Sequence, residues 1–207
     1  MTANTISASD TQSFEILIDG LIHKGVGSCD FFFEPETVQG LRANLLRHFC
    51  KGEMQPAGVG KNFDYTKNAA IRGDLIRWLN KSSSDPFESL FLDKVSQFIK
   101  HMNATCYTGI NDFEFHYALY DVGSFYKRHL DQFRSDKGRL FSFVLYLNED
   151  WADKDGGNIS LYLEAGEMTL LPVEGRVVFF KSDQIEHEVH PSMSRPRLSI
   201  AGWLKRV

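Results

Sequence analysis

Two histidines, one aspartate and one arginine carry the chemistry this sequence offers. His129 and Asp131 stand at i and i+2 in YKRHLDQF. On a strand, residues two apart point to the same side, so this spacing aims an imidazole and a carboxylate at one metal ion. His187 follows well downstream in SDQIEHEVHP, after the strand-like run VVFFK. Arg197 comes ten residues later, in SMSRPRLSIAGW, where a last strand is predicted to start. Two histidines and one carboxylate on one face of a metal leave open positions opposite them. That facial arrangement suits non-haem Fe(II) and oxygen chemistry. An arginine deeper in a barrel can pair bidentately with a carboxylate of a bound co-substrate. Ser199, two residues on, faces the same side and can add a hydroxyl donor.

Other residues compete for these roles. His190 is the rival of His187; it lies three residues on, and strand alternation puts it on the opposite face. His23, His48 and His101 lie in helical segments and read as structural or solvated. His116 reads as a core histidine or a support for the ligands. Cys29, Cys50 and Cys106 form no CxxC or Cys/His zinc pattern and are expected to be buried thiols in a reducing cytosol.

Positioning these side chains requires strands, and the second half of the chain supplies them. FEFHYALY at 113–120 alternates, and LFSFVLYLN at 140–148, NISLYLE at 158–164, VVFFK at 177–181 and LSIAGWL at 198–204 are further strand-like runs. The first half is helical. Phe14, Leu17, Ile18, Leu21 and Ile22 predict a first helix. Pro35 opens a second, with Val38, Leu41, Leu45 and Phe49 on one face. Ser84-Asp85-Pro86 starts a third. SCDFFF reads as a short strand, Asp74–Leu79 as a short helix, and 52–70 as a long loop. Helices followed by strands argue for a mainly β protein, a sandwich or jelly roll buttressed by helices.

The 207 residues fit one domain, with 1–12 as a flexible polar tail and 13–207 as the domain. Lys+Arg is 23 and Asp+Glu 27, a net charge of −4, which removes the electrostatic case for general nucleic-acid binding. The longest apolar runs are strand-sized, so no membrane span is expected, and MTANTISASDTQ does not read as a secretory signal. A cytoplasmic monomer is the resulting expectation.

The sequence resembles the 2-oxoglutarate and Fe(II)-dependent dioxygenases, and within them the prolyl 4-hydroxylases of the oxygen-sensing (HIF prolyl hydroxylase-like) type. The resemblance runs from 28–33 to the C-terminus. It rests on IRGDLIRWL at 71–79, YDVGSFYKRHLD at 120–131, YLNEDW at 146–151, DGGNISLYLE at 155–164, VVFFKSDQIEHEV at 177–189 and RLSIAGW at 197–203.

What it implies is specific. The fold would be a double-stranded β-helix, a jelly roll with helices packed on one sheet. His129, Asp131 and His187 would ligate Fe(II). Arg197 and Tyr146 would hold the distal carboxylate of 2-oxoglutarate, Tyr120 would line its pocket, and Ser199 and Trp203 would complete the co-substrate residues, Trp203 facing the site from the last strand. Segment 57–74, with Tyr65, would be a loop folding over a bound peptide, its base held by Arg72 and Asp74, with Tyr126 at the active-site mouth. The reaction would consume O2 and 2-oxoglutarate, release succinate and CO2, and draw on ascorbate as a reductant. The substrate would be a prolyl residue of a protein. The chain looks like the short bacterial branch of the group, whose known target type is a switch-loop proline of elongation factor Tu.

Two departures stand out. The His187–Arg197 spacing is one residue longer than in the animal oxygen sensors, so Arg195 rivals Arg197. Ala201 stands where those sensors carry a hydroxyl residue, which predicts weaker co-substrate affinity. Two alternatives remain at this stage: the same chemistry on a free amino acid or other small molecule, and a non-catalytic jelly-roll binding module.

Overall fold

The computed structural model describes residues 6–58, 70–132 and 138–207. Three helices precede most of the strands: α1 (Ala8–Lys24), α2 (Pro35–Cys50) and α3 (Pro86–Cys106). Each start has a local cause. Ser7 caps α1 by accepting from the Asp10 amide, so the helix begins inside the stretch expected to be a tail. Pro35 occupies the first turn of α2. Asp85 caps α3 by accepting from the amides of Phe87 and Glu88.

The strands are β1 (Val26–Cys29), β2 (Gln55–Pro56), β3 (Leu75–Trp78), β4 (Asp112–Tyr120), β5 (Tyr126–His129), β6 (Arg139–Tyr146), β7 (Ile159–Leu163), β8 (Gly166–Leu170), β9 (Val177–Lys181), β10 (Glu186–Val189) and β11 (Arg197–Lys205). They form a seven-stranded sheet, β1-β9-β6-β11-β4-β3-β2, and a four-stranded sheet, β5-β10-β7-β8. Every pairing in both sheets is antiparallel. This is the jelly roll buttressed by helices that the patterning predicts.

Alternation decides which side chain goes where. In β4, Phe115, Tyr117 and Leu119 join the core beneath the helices, with Phe14, Phe91 and Phe98. His116, Ala118 and Tyr120 point the other way, into a cavity. In β11, Leu198, Ile200 and Leu204 face the helices, whereas Arg197, Ser199, Ala201 and Trp203 line the cavity. In β9, Phe179 faces the helices and Phe180 the smaller sheet, so both faces of that strand are buried. The high phenylalanine content therefore builds the helix-to-sheet layer. Helix α1 approaches β1 so closely that a Cβ on Gly27 would come within 2.2 Å of the Leu17 carbonyl oxygen, a contact only glycine permits.

Several expectations need correction. Residues 75–78 form a strand, not a helix. Leu75, Ile76, Trp78 and Leu79 fit a helical face, but pairing with β4 (Leu75 opposite Leu119, Trp78 opposite His116) satisfies their backbone groups instead. The strand read in SCDFFF ends at Cys29; Phe32 and Phe33 lie in a turn and still pack into the core. β8 carries no clear strand signal in the sequence, because GEMTL is short, largely exposed and weakly patterned. Only Cys29 is buried; Cys50 and Cys106 are exposed near helix ends.

Candidate active site

The cavity lies between the sheets, with a volume of about 330 Å³. β4 and β11 line one side, and β5 and β10 the other. β5 and β10 pair antiparallel with His129 directly opposite His187, and the two rings lie 4.3 Å apart. His129 is the last residue of β5, so Asp131 stands just beyond the strand rather than on it. The chain bends there and still turns the carboxylate inward. His129 Nε2 lies 3.5 Å from Asp131 Oδ1, and His187 Nε2 3.6 Å from Asp131 Oδ2. One ligand atom from each residue falls within 4.8 Å of the others, the only such trio among the described residues.

The protonation states follow from the partners. His129 Nδ1 donates to the Lys127 carbonyl at 2.7 Å, and His187 Nδ1 donates to the Ile185 carbonyl at 3.3 Å. A carbonyl oxygen only accepts, so each Nδ1 carries a proton and each Nε2 is the ring nitrogen turned to Asp131. Burial lowers the His187 pKa to about 4, despite the Asp131 carboxylate beside it, so the ring is neutral at pH 7. Burial alone would raise the Asp131 carboxyl. The neighbouring His187 and His129 and the Ser142 hydroxyl outweigh it and hold that carboxyl far below the usual range. With each Nδ1 committed to a carbonyl, the two Nε2 atoms and the Asp131 carboxylate converge, a donor set that fits a divalent cation.

His190 is turned away from this trio. Its Nε2 lies 2.7 Å from Ser160 Oγ and 3.7 Å from Glu188.

Arg197 enters the cavity from the start of β11 and is 2% exposed. Its guanidinium carbon sits 4.9 Å from the Tyr120 ring and 4.8 Å from the Tyr146 ring. Nη1 donates to Ser199 Oγ at 3.3 Å, while Nε and the Tyr146 hydroxyl have no hydrogen-bond partner among the described residues. No carboxylate of the described residues pairs with it. A buried cation without a counter-charge is costly, and this one fits an anionic ligand. Burial pushes the Tyr120 and Tyr146 hydroxyls upward in pKa, so both stay protonated donors. Arg195, the rival, is 40% exposed on a different cleft, paired with Asp155 at 3.1 Å and set against the Trp151 ring.

The mouth of the cavity is braced by Arg72, Asp74 and Tyr126. Arg72 donates to both carboxylate oxygens of Asp74, at 2.7 and 2.6 Å, and to the Gly58 carbonyl at 3.3 Å. Its guanidinium lies 4.3 Å from the Tyr126 ring, which stacks on His129 at 3.5 Å. This clamp ties residue 58 to residues 72–74, the two flanks of segment 59–69. Tyr65, with Lys61 and Lys67, lies outside the described residues.

Sequence reasoning overlooked a supporting layer. Ser142 donates to Asp131 Oδ2 at 2.7 Å and shares a 2.8 Å hydrogen bond with Ser182. Arg139 donates to the Asp131 carbonyl at 3.2 Å, pairs with Glu114 at 2.8 Å and lies 3.4 Å over the Trp203 ring. The signal for Ser142 was present: it is a serine on the inward parity of an otherwise apolar strand.

A model of the 2OG-Fe(II) oxygenase superfamily matches residues 115–205, the stretch from β4 to β11 that holds the trio and Arg197. A solved prolyl-4-hydroxylase from Pseudomonas putida superposes with a TM-score of 0.84 at 36% identity, covering 94% of this chain and 99% of that one. A Trichoplax adhaerens prolyl hydroxylase, solved with a hypoxia-inducible-factor peptide fragment, shares the fold with a TM-score of 0.84 at 23% identity, over 97% of this chain and 94% of that one. The human Egl nine homolog 1 is 28% identical over 212 residues, covering 92% of this chain and 46% of that protein. The chain spans about half the length of the curated relatives it matches. Its architecture, its inward-facing donor set and its identity to a solved relative agree: the chain belongs to the 2OG-Fe(II) oxygenase superfamily, an enzyme family that works with Fe(II), 2-oxoglutarate and O2.

Proposed function

We propose that this protein hydroxylates a prolyl residue of a protein substrate, with a switch-loop proline of elongation factor Tu as the first candidate. The observation that carries the reading is the uncompensated Arg197 guanidinium in the same cavity as the His129, Asp131 and His187 donors. Fe(II) would be held by His129 Nε2, an Asp131 oxygen and His187 Nε2. With 2-oxoglutarate and O2 the metal supplies the oxidising power for hydroxylation, and succinate and CO2 leave.

The residues of the chain do the rest. Arg197 binds the distal carboxylate of 2-oxoglutarate, and the unpartnered Tyr146 hydroxyl donates to the same group. Ser199 orients Arg197. Tyr120 flanks the guanidinium and limits water beside it. Lys127 and Ile185 carbonyls keep each Nε2 free for the metal. Tyr126 and the Arg72–Asp74 clamp brace the cavity mouth where the peptide would enter. We read residues 13–207 as one dioxygenase domain that works as a cytoplasmic monomer. No helix of the described residues is long and apolar enough to cross a membrane.

The test is succinate formation with Fe(II), 2-oxoglutarate, ascorbate and air, with and without purified elongation factor Tu, together with the intact mass of that partner. Stimulated turnover and a gain of one oxygen atom, both lost in His129→Ala, are the expected result. Turnover without modification of the partner would reject elongation factor Tu. No turnover, with metal bound, would reject the enzyme reading in favour of a binding module.

A further inference from the structure

The end of the cavity away from Arg197 carries polar atoms that neither the metal donors nor the Arg197 site employs. His116 of β4 sits in register between Trp78 of β3 and Ala201 of β11. Its ring meets Trp78 edge-on at 4.9 Å and lies 5.6 Å from the Trp203 ring. It is 4% exposed, yet its Nδ1 has no hydrogen-bond partner among the described residues, and neither has Trp203 Nε1. Buried polar atoms are nearly always paired, so two unpartnered ones on adjacent rings lining one cavity point to a ligand. Burial lowers the His116 pKa to about 4, so at pH 7 it is neutral and offers one donor and one acceptor. Trp203 offers a donor only.

Among the described residues, this end has hydrogen-bonding capacity without spare charge. Arg139 is matched by Glu114, and Arg72 by Asp74. The uncompensated Arg197 stands six residues from Trp203 on β11, about 20 Å along the strand. Trp203 is therefore remote from the co-substrate carboxylate, although the family resemblance groups it with the co-substrate residues. It is close to the metal donors instead. It pairs in register with Ser142, which holds the Asp131 carboxylate, and stacks under Arg139, which holds the Asp131 carbonyl.

We propose that His116 and the Trp203 indole N–H form a subsite for an uncharged main-chain amide of the substrate, next to the residue that reacts. An amide presents one acceptor to the indole N–H and one donor to the imidazole. Holding it beside Asp131 sets the adjacent residue over the trio, and His116 is thereby a specificity-determining residue. The subsite deepens the prolyl hydroxylase reading and rests on it for the identity of that residue. It also separates substrate classes: the carboxylate and ammonium of a free amino acid find no unpaired complementary charge among the described residues at this end.

The test is a titration of the full chain with N-acetylproline methylamide and, separately, free L-proline, followed by NMR of the indole N–H and imidazole signals. Trp78→Phe and Trp151→Phe assign the Trp203 indole. The amide is expected to shift the Trp203 and His116 signals, and L-proline to shift neither. His116→Phe, which keeps the ring, should weaken amide binding about tenfold, and His116→Asn should restore it to within about threefold of wild type. Trp203→Phe should weaken it similarly, which keeps the test intact if a His116 variant fails to fold. An unmoved Trp203 signal, equal loss in His116→Phe and His116→Asn, or equal binding of L-proline overturns the subsite. Prolyl hydroxylation unaffected by His116→Phe would overturn the subsite and leave the hydroxylase reading standing. Amide binding without any hydroxylation of a protein would do the reverse.

Discussion

Ser142 Oγ donates a 2.7 Å hydrogen bond to Oδ2 of Asp131 across the cavity floor, joining the larger sheet to the segment that follows β5. Asp131 has no strand of its own to hold it, so this contact and the Arg139 bond to its carbonyl substitute for one. Partners that orient a ligand set metal affinity as strongly as the ligand's chemistry does.

Ser142→Ala removes that bond and leaves Ser182 Oγ without its neighbour. Metal affinity, followed by Mn(II) titration in the absence of 2-oxoglutarate, should fall roughly 10- to 100-fold while the fold is retained. Unchanged affinity would show that the carboxylate is oriented by Arg139 alone.

Arg197→Met exchanges an uncompensated buried cation for an apolar side chain of similar length. In the ligand-free protein the change should be neutral or stabilising by about 1–4 kcal/mol in urea melts, because the desolvation cost disappears. The same variant should lose the thermal stabilisation that 2-oxoglutarate confers on the wild type. Retained stabilisation would remove Arg197 from the carboxylate role.

Acid should destabilise the metal-free protein between pH 6.5 and 4. His116 and His187 both have folded pKa values of about 4, below the unfolded value of 6.5. Within that window the unfolded chain binds protons the folded chain refuses, so stability falls as pH falls. Each histidine contributes about 2–3 kcal/mol of this loss by pH 4.5. Asp131, whose carboxyl is held low, adds its own loss from the ordinary carboxylate range downward, where the unfolded carboxyl takes up a proton that the folded one refuses. Urea melts of His116→Phe in EDTA should show about half the wild-type slope across the window; an unchanged slope would mean that His116 is charged in the folded state.

Arg72→Ala strands the Asp74 carboxylate, whose side chain is fully buried and held by two guanidinium nitrogens, Nε and Nη2. The cost should be about 3–5 kcal/mol. It should also loosen the flanks of segment 59–69, read as faster protease cleavage there than in wild type. Arg72→Ala with Asp74→Asn should recover part of the stability, since an amide costs less to bury unpaired than a carboxylate.

The sequence by itself determined the element types with strong period and the order of the donors. Strand parity alone puts Arg197, Ser199, Ala201 and Trp203 on one face of β11 and His116, Ala118 and Tyr120 on one face of β4. That periodicity is local, because it follows from a backbone whose side chains alternate. Caps at Ser7 and Asp85 are local too, although the tail expectation overlooked the first. What the tertiary structure decided is everything that depends on a partner distant in the chain. Residues 75–78 have spacing compatible with either a helix or a strand, and only the free edge of β4 resolves it. Arg195 and Arg197 are two residues apart with the same parity; the tie is broken by Asp155, forty residues away, which pairs with Arg195 outside the cavity. Asp131 lies past the end of its strand, and its inward turn depends on Ser142 and Arg139. The neutral character of the far end of the cavity likewise depends on Glu114 meeting Arg139 across 25 residues. Periodicity orients a side chain, but the charges and hydrogen bonds that meet it come from other strands, and only the folded chain brings those together.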